Sequence, residues 1–160
     1  MNKPCTVAID GPAGAGKSTI AKAAAARFGF IYVDTGAIYR TVGLAAKRAG
    51  VDPEDADGVT ALLPSLSIRF DYTGDGTQRM LLGEEDVSGL IRTPEISRYA
   101  SAVSAIPAVR AFLLDMQRDM AKTTSVVMDG RDIGTQVLPN ADLKIFLTAN
   151  LHGKILMRNP

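Results

Sequence analysis

Residues 11–18 read GPAGAGKS, a complete G-x-x-x-x-G-K-[ST] pattern that constrains the fold more than any other part of the chain. An apolar run, residues 5–9 closed by Asp10, precedes the pattern, and an alanine-rich run, residues 19–27, follows it. Strand, glycine loop and helix in this order form the context in which the pattern makes a phosphate-binding loop. The chain is therefore predicted to bind a nucleoside triphosphate on an α/β fold.

The residue types of this loop suit a chain of phosphates. Glycines let backbone N–H groups point inward, and the start of the following helix adds unsatisfied N–H groups and the positive end of a dipole. Lys17 is predicted to reach the β- and γ-phosphates, and the Ser18 hydroxyl to ligate Mg²⁺. The residues predicted to contact the triphosphate are Gly11, Pro12, Ala13, Gly14, Ala15, Gly16, Lys17, Ser18 and Thr19.

Composition excludes several classes of protein. The 160 residues are 46% hydrophobic and 22% charged with a net charge of +1, which is typical of a globular domain and argues against a bulk nucleic-acid binder. The single cysteine, Cys5, excludes an internal disulfide. No apolar run approaches the ~20 residues of a membrane span, and the N-terminal residues lead straight into a strand rather than a signal peptide. We expect a cytoplasmic protein.

Alternating apolar and helical patterns predict a parallel sheet. Three further short apolar runs are predicted to be buried strands: residues 30–33, 125–128 and 143–148. Helical patterns cover residues 18–27, 36–49 and 94 to about 122. Strands that alternate with helices indicate right-handed crossovers.

Residues 66–91 follow a different pattern. Two alternating runs flank the Gly-Asp-Gly sequence at residues 74–76, which predicts antiparallel strands around a tight turn. An antiparallel excursion inside a parallel α/β chain indicates an inserted subdomain. A surface hairpin without function is the alternative.

Four blocks in a fixed order resemble the bacterial cytidylate kinases: AIDGPAGAGKST, VDTGAIYR, EEDVSGLIRTPEIS and MDGRDIGTQVLPNADLKIFLTA. The resemblance covers roughly residues 5–149. It implies a P-loop nucleoside monophosphate kinase fold, with helices on both faces of a parallel sheet of order 2-3-1-4-5. It also implies that ATP and Mg²⁺ convert CMP or dCMP to the diphosphate, and that the insert enlarges the monophosphate-binding region.

The resemblance also implies a domain plan. A single kinase domain would cover residues 1–160, with its core at residues 1–62 and 94–149 and the insert at about 63–93. Neither a nucleic acid nor a membrane is expected as a partner.

The sequence DTGAIYR follows the second strand, at the sheet edge where doubly wound folds bind ligands. Thr35 can donate a hydrogen bond, and the Arg40 guanidinium can fork onto a phosphate. By resemblance, Thr35 lies near the cytosine and Arg40 on the α-phosphate. The alternative for Arg40 is a solvated helix residue.

Asp129 follows the third strand, where an acid that holds Mg²⁺ or its water is expected. With Lys17 it forms the predicted catalytic pair. By resemblance, Arg131 and Asp132 contact the monophosphate. A carboxylate at Asp132 can accept from the cytosine amino group, which uracil lacks, so Asp132 is predicted to select the base. The alternative is that Asp132 caps a helix and Arg131 forms a salt bridge.

Two residues of the predicted third helix are the last of the predicted substrate-binding residues. By resemblance, Ser101 and Arg110 touch sugar, base or phosphate. Without the resemblance, each is an ordinary helix surface residue.

Beyond Ala149 the sequence NLHGKILMRNP is predicted to be an atypical tail at residues 150–160. The family continues with an arginine-rich lid, and the spacing of Lys154 and Arg158 does not match one. We therefore expect a monomer whose last strand is an uncovered edge that favours self-association. Turnover is expected to be low, and the alternative is a family member that binds nucleotides with little catalysis. A GTPase is disfavoured because no N-K-x-D motif occurs in a loop, and other small-molecule kinases are disfavoured by DTGAIYR and GRDIG.

Overall fold

The computed structural model describes residues 3–148 of the chain. The strands are β1 Thr6–Asp10, β2 Ile31–Asp34, β3 Ile68–Tyr72, β4 Gln78–Leu82, β5 Glu85–Asp86, β6 Val126–Gly130 and β7 Leu143–Phe146. The α-helices are α1 Lys17–Phe28, α2 Thr35–Arg48, α3 Ala56–Leu62, α4 Pro94–Val103 and α5 Pro107–Thr123. Short 3₁₀ turns span Leu63–Ser65 and Leu90–Arg92, and a π-helical turn spans Ile133–Val137.

The described residues divide into two compact units. The first unit contains the residues up to Thr35 and those from Met116 onward, and the second contains Gly36–Asp115. Each unit has its own sheet, so each is described separately.

The first unit is built on a parallel sheet of order β2-β6-β1-β7. Numbered by position among the parallel strands, this order is 2-3-1-4, as the resemblance implied. Asp10 of β1 pairs with Gly130 of β6, and Asp34 of β2 pairs with Asp129 of β6. The carboxyl ends of these three strands therefore meet at one edge of the sheet, where α/β folds place their ligand sites.

Apolar residues of the strands and small residues of α1 form the core of the first unit. Ile9, Tyr32 and Val127 pack with Ala21 and Ala25 of the helix. Alanine at both helix positions lets the helix approach the sheet closely, and Ala21 is completely buried. The β-branched residues fit strands covered on both faces.

The second unit contains the antiparallel sheet β3-β4-β5. Phe70 of β3 pairs with Met80 of β4 across the predicted turn, and Met80 is buried. Helices of this unit begin at side-chain caps: Asp55 accepts from the Gly58 N–H at the start of α3, and Thr93 accepts from the Ile96 N–H at the start of α4. The α/β class is confirmed, with a parallel sheet flanked by helices and a separate small antiparallel sheet.

The prediction of one helix over residues 94 to about 122 was wrong. The segment forms α4 and α5, which meet at a 99° bend. Pro107 is the first residue of α5, and a proline disfavours helical geometry at the residue before it, here Ile106. The other predicted elements lie within a few residues of their observed bounds, while α3 and the π-helical turn were not predicted.

The strand β7 lies at one edge of the parallel sheet in the described part of the chain. Leu143 is 42% exposed and Phe146 48% exposed, so apolar surface is present at this edge. Self-association through it stays a prediction. Among residues 3–148, no single helix has both the length and the hydropathy of a membrane span, although the bent pair α4 and α5 passes that test when taken together.

Candidate nucleotide site

The predicted phosphate-binding loop joins the carboxyl end of β1 to the amino end of α1. Gly11 is buried, whereas residues 12–14 are exposed. Gly11, Gly14 and Gly16 adopt positive φ angles of 146°, 78° and 82°. The unsatisfied N–H groups at the start of α1 lie at the end of this loop, because the helix begins at Lys17. The predicted order of strand, loop and helix is confirmed.

The side chain of Lys17 folds back across the loop. Its Nζ atom donates a hydrogen bond to the Pro12 carbonyl oxygen at 2.7 Å. The ammonium therefore lies beside the backbone of the loop, whose N–H groups would bind phosphate. Its contact with a triphosphate stays a prediction.

Ser18 and Asp129, the two predicted metal ligands, are in direct contact. The Ser18 hydroxyl donates to Asp129 Oδ2 at 2.7 Å, and the Tyr32 hydroxyl donates to Asp129 Oδ1 at 3.3 Å. Asp129 is only 3% exposed. The sheet register and the loop thus bring together two oxygen groups that lie 111 residues apart in sequence.

The environment of Asp129 raises the pKa of its carboxyl group. Burial is the main cause, and the nearby Asp34 carboxylate adds to it, while hydrogen bonds from Ser18 and Tyr32 and the charge of Lys17 act in the opposite direction. Burial and the carboxylates of Asp34 and Asp129 also raise the pKa of the Tyr32 hydroxyl, which therefore stays a hydrogen-bond donor. A further positive charge at this site would favour the ionised carboxylate.

The Thr35 hydroxyl is buried at the start of α2. It donates a hydrogen bond of 2.7 Å to the backbone oxygen of Asp129. Because its hydrogen is used in this bond, the Thr35 hydroxyl could serve a further partner only as an acceptor. The contact joins the residue directly after β2 to the end of β6, within the first unit.

Arg131 and Asp132 follow β6 directly. Arg131 is exposed and lines an open cleft together with Gly11, Pro12 and Ala13 of the phosphate-binding loop. Phe146 and Thr148 complete the lining of this cleft. The predicted acceptor-side cation and the predicted donor loop thus share one surface of the first unit.

Asp132 does not act as the helix cap that formed its alternative interpretation. It occupies the position before the π-helical turn, but its side chain makes no capping hydrogen bond there. The amide groups of Ile133 and Gly134 instead donate to the carboxylate of Asp10. Asp10 was not among the predicted site residues. Its place at a strand end, immediately before the first loop glycine, was the one sequence signal that could have pointed to it.

The remaining predicted substrate residues lie in the second unit. Arg40 is half-buried on α2, and Ser101 is exposed on α4 rather than on one long helix. Arg110 lies on α5, where its Nη1 atom donates to the Ser104 carbonyl oxygen at 3.3 Å. This contact spans the bend between the two helices. Lys154 and Arg158 of the predicted tail lie outside the described residues.

Comparison with known proteins shows which family the chain resembles. A sequence model of the family described as cytidylate kinase matches residues 7–159. The chain is 48% identical over 159 residues to a cytidylate kinase of Exiguobacterium sp., covering 99% of this chain and 70% of that protein. It is 53% identical over 147 residues to a cytidylate kinase of Caldicellulosiruptor bescii, covering 92% of this chain and 65% of that protein. A cytidylate kinase of Mycobacterium avium is 50% identical over 160 residues.

These comparisons correct one expectation. The match to the family reaches residue 159, so the resemblance does not stop at Ala149. The chain spans about two thirds of the length of these relatives: 70% of the Exiguobacterium protein and 65% of the Caldicellulosiruptor protein.

Proposed function

The chain belongs to the cytidylate kinase family, and on this premise we propose that it transfers a phosphoryl group from ATP to CMP or dCMP. One observation carries the proposal: Arg131 lines the same cleft as Gly11, Pro12 and Ala13. A donor loop for a triphosphate and a cation for an acceptor phosphate thus face a common space. A cytoplasmic location, as for the family, is part of the proposal.

The proposed reaction requires no covalent enzyme intermediate. An oxygen of the acceptor phosphate attacks the γ-phosphorus of ATP, the bond from that phosphorus to the bridging oxygen breaks, and ADP leaves. The loop N–H groups and Lys17 bind the donor phosphates, and Arg131 offsets the charge between donor and acceptor. Because two phosphates repel each other, the main task of these residues is to orient both groups and to neutralise their charge.

Ser18 at the start of α1 and Asp129 near the end of β6 fit a magnesium ion. Ser18 Oγ and Asp129 Oδ2 are hard oxygen donors that lie 2.7 Å apart, not far below the ~3.0 Å between neighbouring oxygens in an octahedral shell at ~2.1 Å. Among residues 3–148, no group of three or more His, Cys, Asp or Glu side chains could hold a metal ion. Phosphates and water would therefore supply most ligands, and Mg²⁺ when bound would neutralise charge on the phosphates.

We assign recognition of the acceptor to the residues that the resemblance implied for it. Asp132 accepts from the cytosine amino group, and Thr35 presents its oxygen near the base. Arg40 and Arg110 bind the acceptor phosphate, and Ser101 contacts sugar or base. The family membership supports this assignment, and Asp132 directly follows Arg131, which is exposed and lines the same cleft as the loop.

Turnover with different acceptors tests the function. We expect CMP and dCMP to stimulate ADP release from ATP at least about tenfold more than UMP does, because a buried acceptor left facing a carbonyl disfavours uracil. A coupled ADP-release assay on the chain measures this. ATP incubated without an acceptor serves as the control.

The same assay separates the proposal from its alternative. If CMP gives no ADP release while a non-hydrolysable ATP analogue still binds, the chain binds nucleotides without catalysis. If UMP or AMP is the better acceptor, the assignment of the substrate is wrong.

Replacing Asp132 by alanine should weaken the discrimination between bases. We expect the ratio of UMP to CMP dissociation constants to fall about tenfold, because a hydrogen bond to a charged group contributes ~1.5–3 kcal/mol. Titration calorimetry with both nucleotides measures the ratio. Gln136→Ala, an exposed substitution in the same turn, is the matched control and should leave the ratio unchanged. An unaltered ratio in Asp132→Ala would assign base selection to another residue.

A further inference from the structure

One buried carboxylate connects the two functional segments of the first unit. Asp10, which is 8% exposed, accepts hydrogen bonds from the N–H groups of Ile133 and Gly134, both at 2.7 Å. Its backbone oxygen accepts from the Leu147 N–H, also at 2.7 Å. Asp10 is the last residue of β1 and is covalently joined to Gly11, where the phosphate-binding loop begins.

The bonds from Asp10 satisfy the first amides of the π-helical turn. N–H groups at the start of a helical turn have no partner inside it, and a buried N–H without a partner is costly. The turn begins immediately after Asp132. The bonds to Asp10 therefore hold the start of the turn, and with it the adjacent residues Arg131 and Asp132, beside the loop.

The other end of the same turn is also held. The Arg118 guanidinium donates to the Val137 carbonyl oxygen at 3.0 Å and to the Gln136 carbonyl oxygen at 2.9 Å. At the Asp10 end, a Cβ atom added to Gly134 would lie 3.2 Å from Asp10 Oδ2. Hydrogen bonds at both ends and close packing leave this turn little freedom to shift.

We propose that Asp10 is a positioning residue for recognition of the acceptor nucleotide. Its carboxylate holds the segment of Arg131 and Asp132 at a fixed place beside the phosphate-binding loop. The inference rests on the proposed function, since it assigns to Asp10 the geometry that base selection by Asp132 requires. Asp10 acts through these residues and does not itself contact the nucleotide.

Asp10→Asn tests this role with almost no change in side-chain volume. An amide has one oxygen acceptor, so its NH₂ group would face one of the two backbone N–H donors. We expect the dissociation constant for CMP to rise about tenfold and the UMP-to-CMP ratio to fall toward that of Asp132→Ala. The dissociation constant of a non-hydrolysable ATP analogue should change less than about threefold, because the backbone bond to Leu147 remains. Titration calorimetry gives all three values.

Asp142→Asn is the matched control. The Asp142 carboxylate also accepts hydrogen bonds in the same unit, from the Thr6 N–H at 2.8 Å, from the Thr6 hydroxyl at 2.9 Å and from Lys3 Nζ at 3.5 Å. These bonds lie at the amino end of β1, away from the loop. We expect this variant to keep the wild-type ratio of UMP to CMP binding. If the ratio of UMP to CMP dissociation constants fell equally in Asp142→Asn, the effect of Asp10→Asn would be explained by general destabilisation. That result would overturn the proposal.

Amide hydrogen exchange reports the positioning directly. The N–H groups of Ile133 and Gly134 should exchange faster in Asp10→Asn than in the wild type. If Asp10→Asn does not fold, Arg118→Ala releases the same turn from its other end and should lower the UMP-to-CMP ratio as well.

Three further results would overturn the inference, and they can be told apart. An Asp10→Asn protein with wild-type CMP affinity and ratio removes the positioning role while the proposed function stands. If Asp10→Asn does not fold, a wild-type ratio of UMP to CMP dissociation constants in Arg118→Ala also rules out the positioning role and leaves the proposed function standing. A wild-type protein that does not prefer CMP to UMP removes the proposed function, and the inference with it.

Discussion

Replacing Lys17 by alanine is expected to reduce CMP-dependent ADP release by about 10²–10³-fold, the usual effect of removing one donor that stabilises developing charge. Affinity for a non-hydrolysable ATP analogue should fall about tenfold or more, since a hydrogen bond to a charged group contributes ~1.5–3 kcal/mol. The ammonium lies across the phosphate-binding loop, 2.7 Å from the Pro12 carbonyl oxygen. The backbone N–H groups of the loop remain in the variant, so binding should be weakened rather than lost.

Two further variants show whether the charge of Lys17 is responsible. Lys17→Met keeps the aliphatic stem and should match Lys17→Ala. Lys22→Ala removes another cation of α1, whose Nζ lies 5.4 Å from the centre of the Tyr32 ring, and should leave analogue affinity unchanged. Circular dichroism checks that each variant folds. Wild-type affinity and turnover in Lys17→Ala would remove this residue from the site.

Replacing Gly11 by alanine is expected to lower the free energy of unfolding by about 3 kcal/mol or more and to abolish binding of the ATP analogue. A residue other than glycine at its φ of 146° is strained by ~1–3 kcal/mol. In addition, a Cβ atom at this position would lie 2.1 Å from the Leu147 carbonyl oxygen, so the backbone must shift. Urea denaturation measures the stability, and titration calorimetry measures the binding.

Gly14→Ala is the matched control for Gly11→Ala. Gly14 also has a positive φ, 78°, but an added Cβ atom would meet nothing within 4 Å. Only the backbone strain of ~1–2 kcal/mol is then expected. Equal destabilisation by the two substitutions would show that the close approach of Gly11 to Leu147 does not matter for the fold.

The phosphate-binding loop could be predicted because its residues are consecutive. Glycine spacing, Lys17 and Ser18 all follow from local backbone requirements, and the flanking strand and helix follow from apolar and alanine-rich runs. The sheet order followed from the resemblance to a family. Apolar residues continue on both sides of Pro107 and favour a single helix, whereas the structure has a break between α4 and α5 just before this proline.

The contacts that bring the site residues together could not be predicted from consecutive residues of the sequence. Ser18 meets Asp129 and Asp10 meets Ile133 across 111 and 123 residues. Each pair depends on which strands are neighbours and on their register: β6 beside β1, with Asp10 opposite Gly130. A shift of register by one residue would turn every side chain of a strand to the other face.

The sequence by itself determined the α/β class, the phosphate-binding loop with its lysine and serine, and the presence of Asp129 at the end of a buried strand. These features depend on local propensity and on the period of apolar residues, which act over a few residues. Only the tertiary structure decided that Asp10, rather than Asp132, accepts from the first amides of the turn after β6, and that Thr35 donates to the Asp129 backbone. The physical reason is that a buried hydrogen-bonding group pairs with whichever partner the packed sheet brings within reach, and chain proximity does not specify that partner.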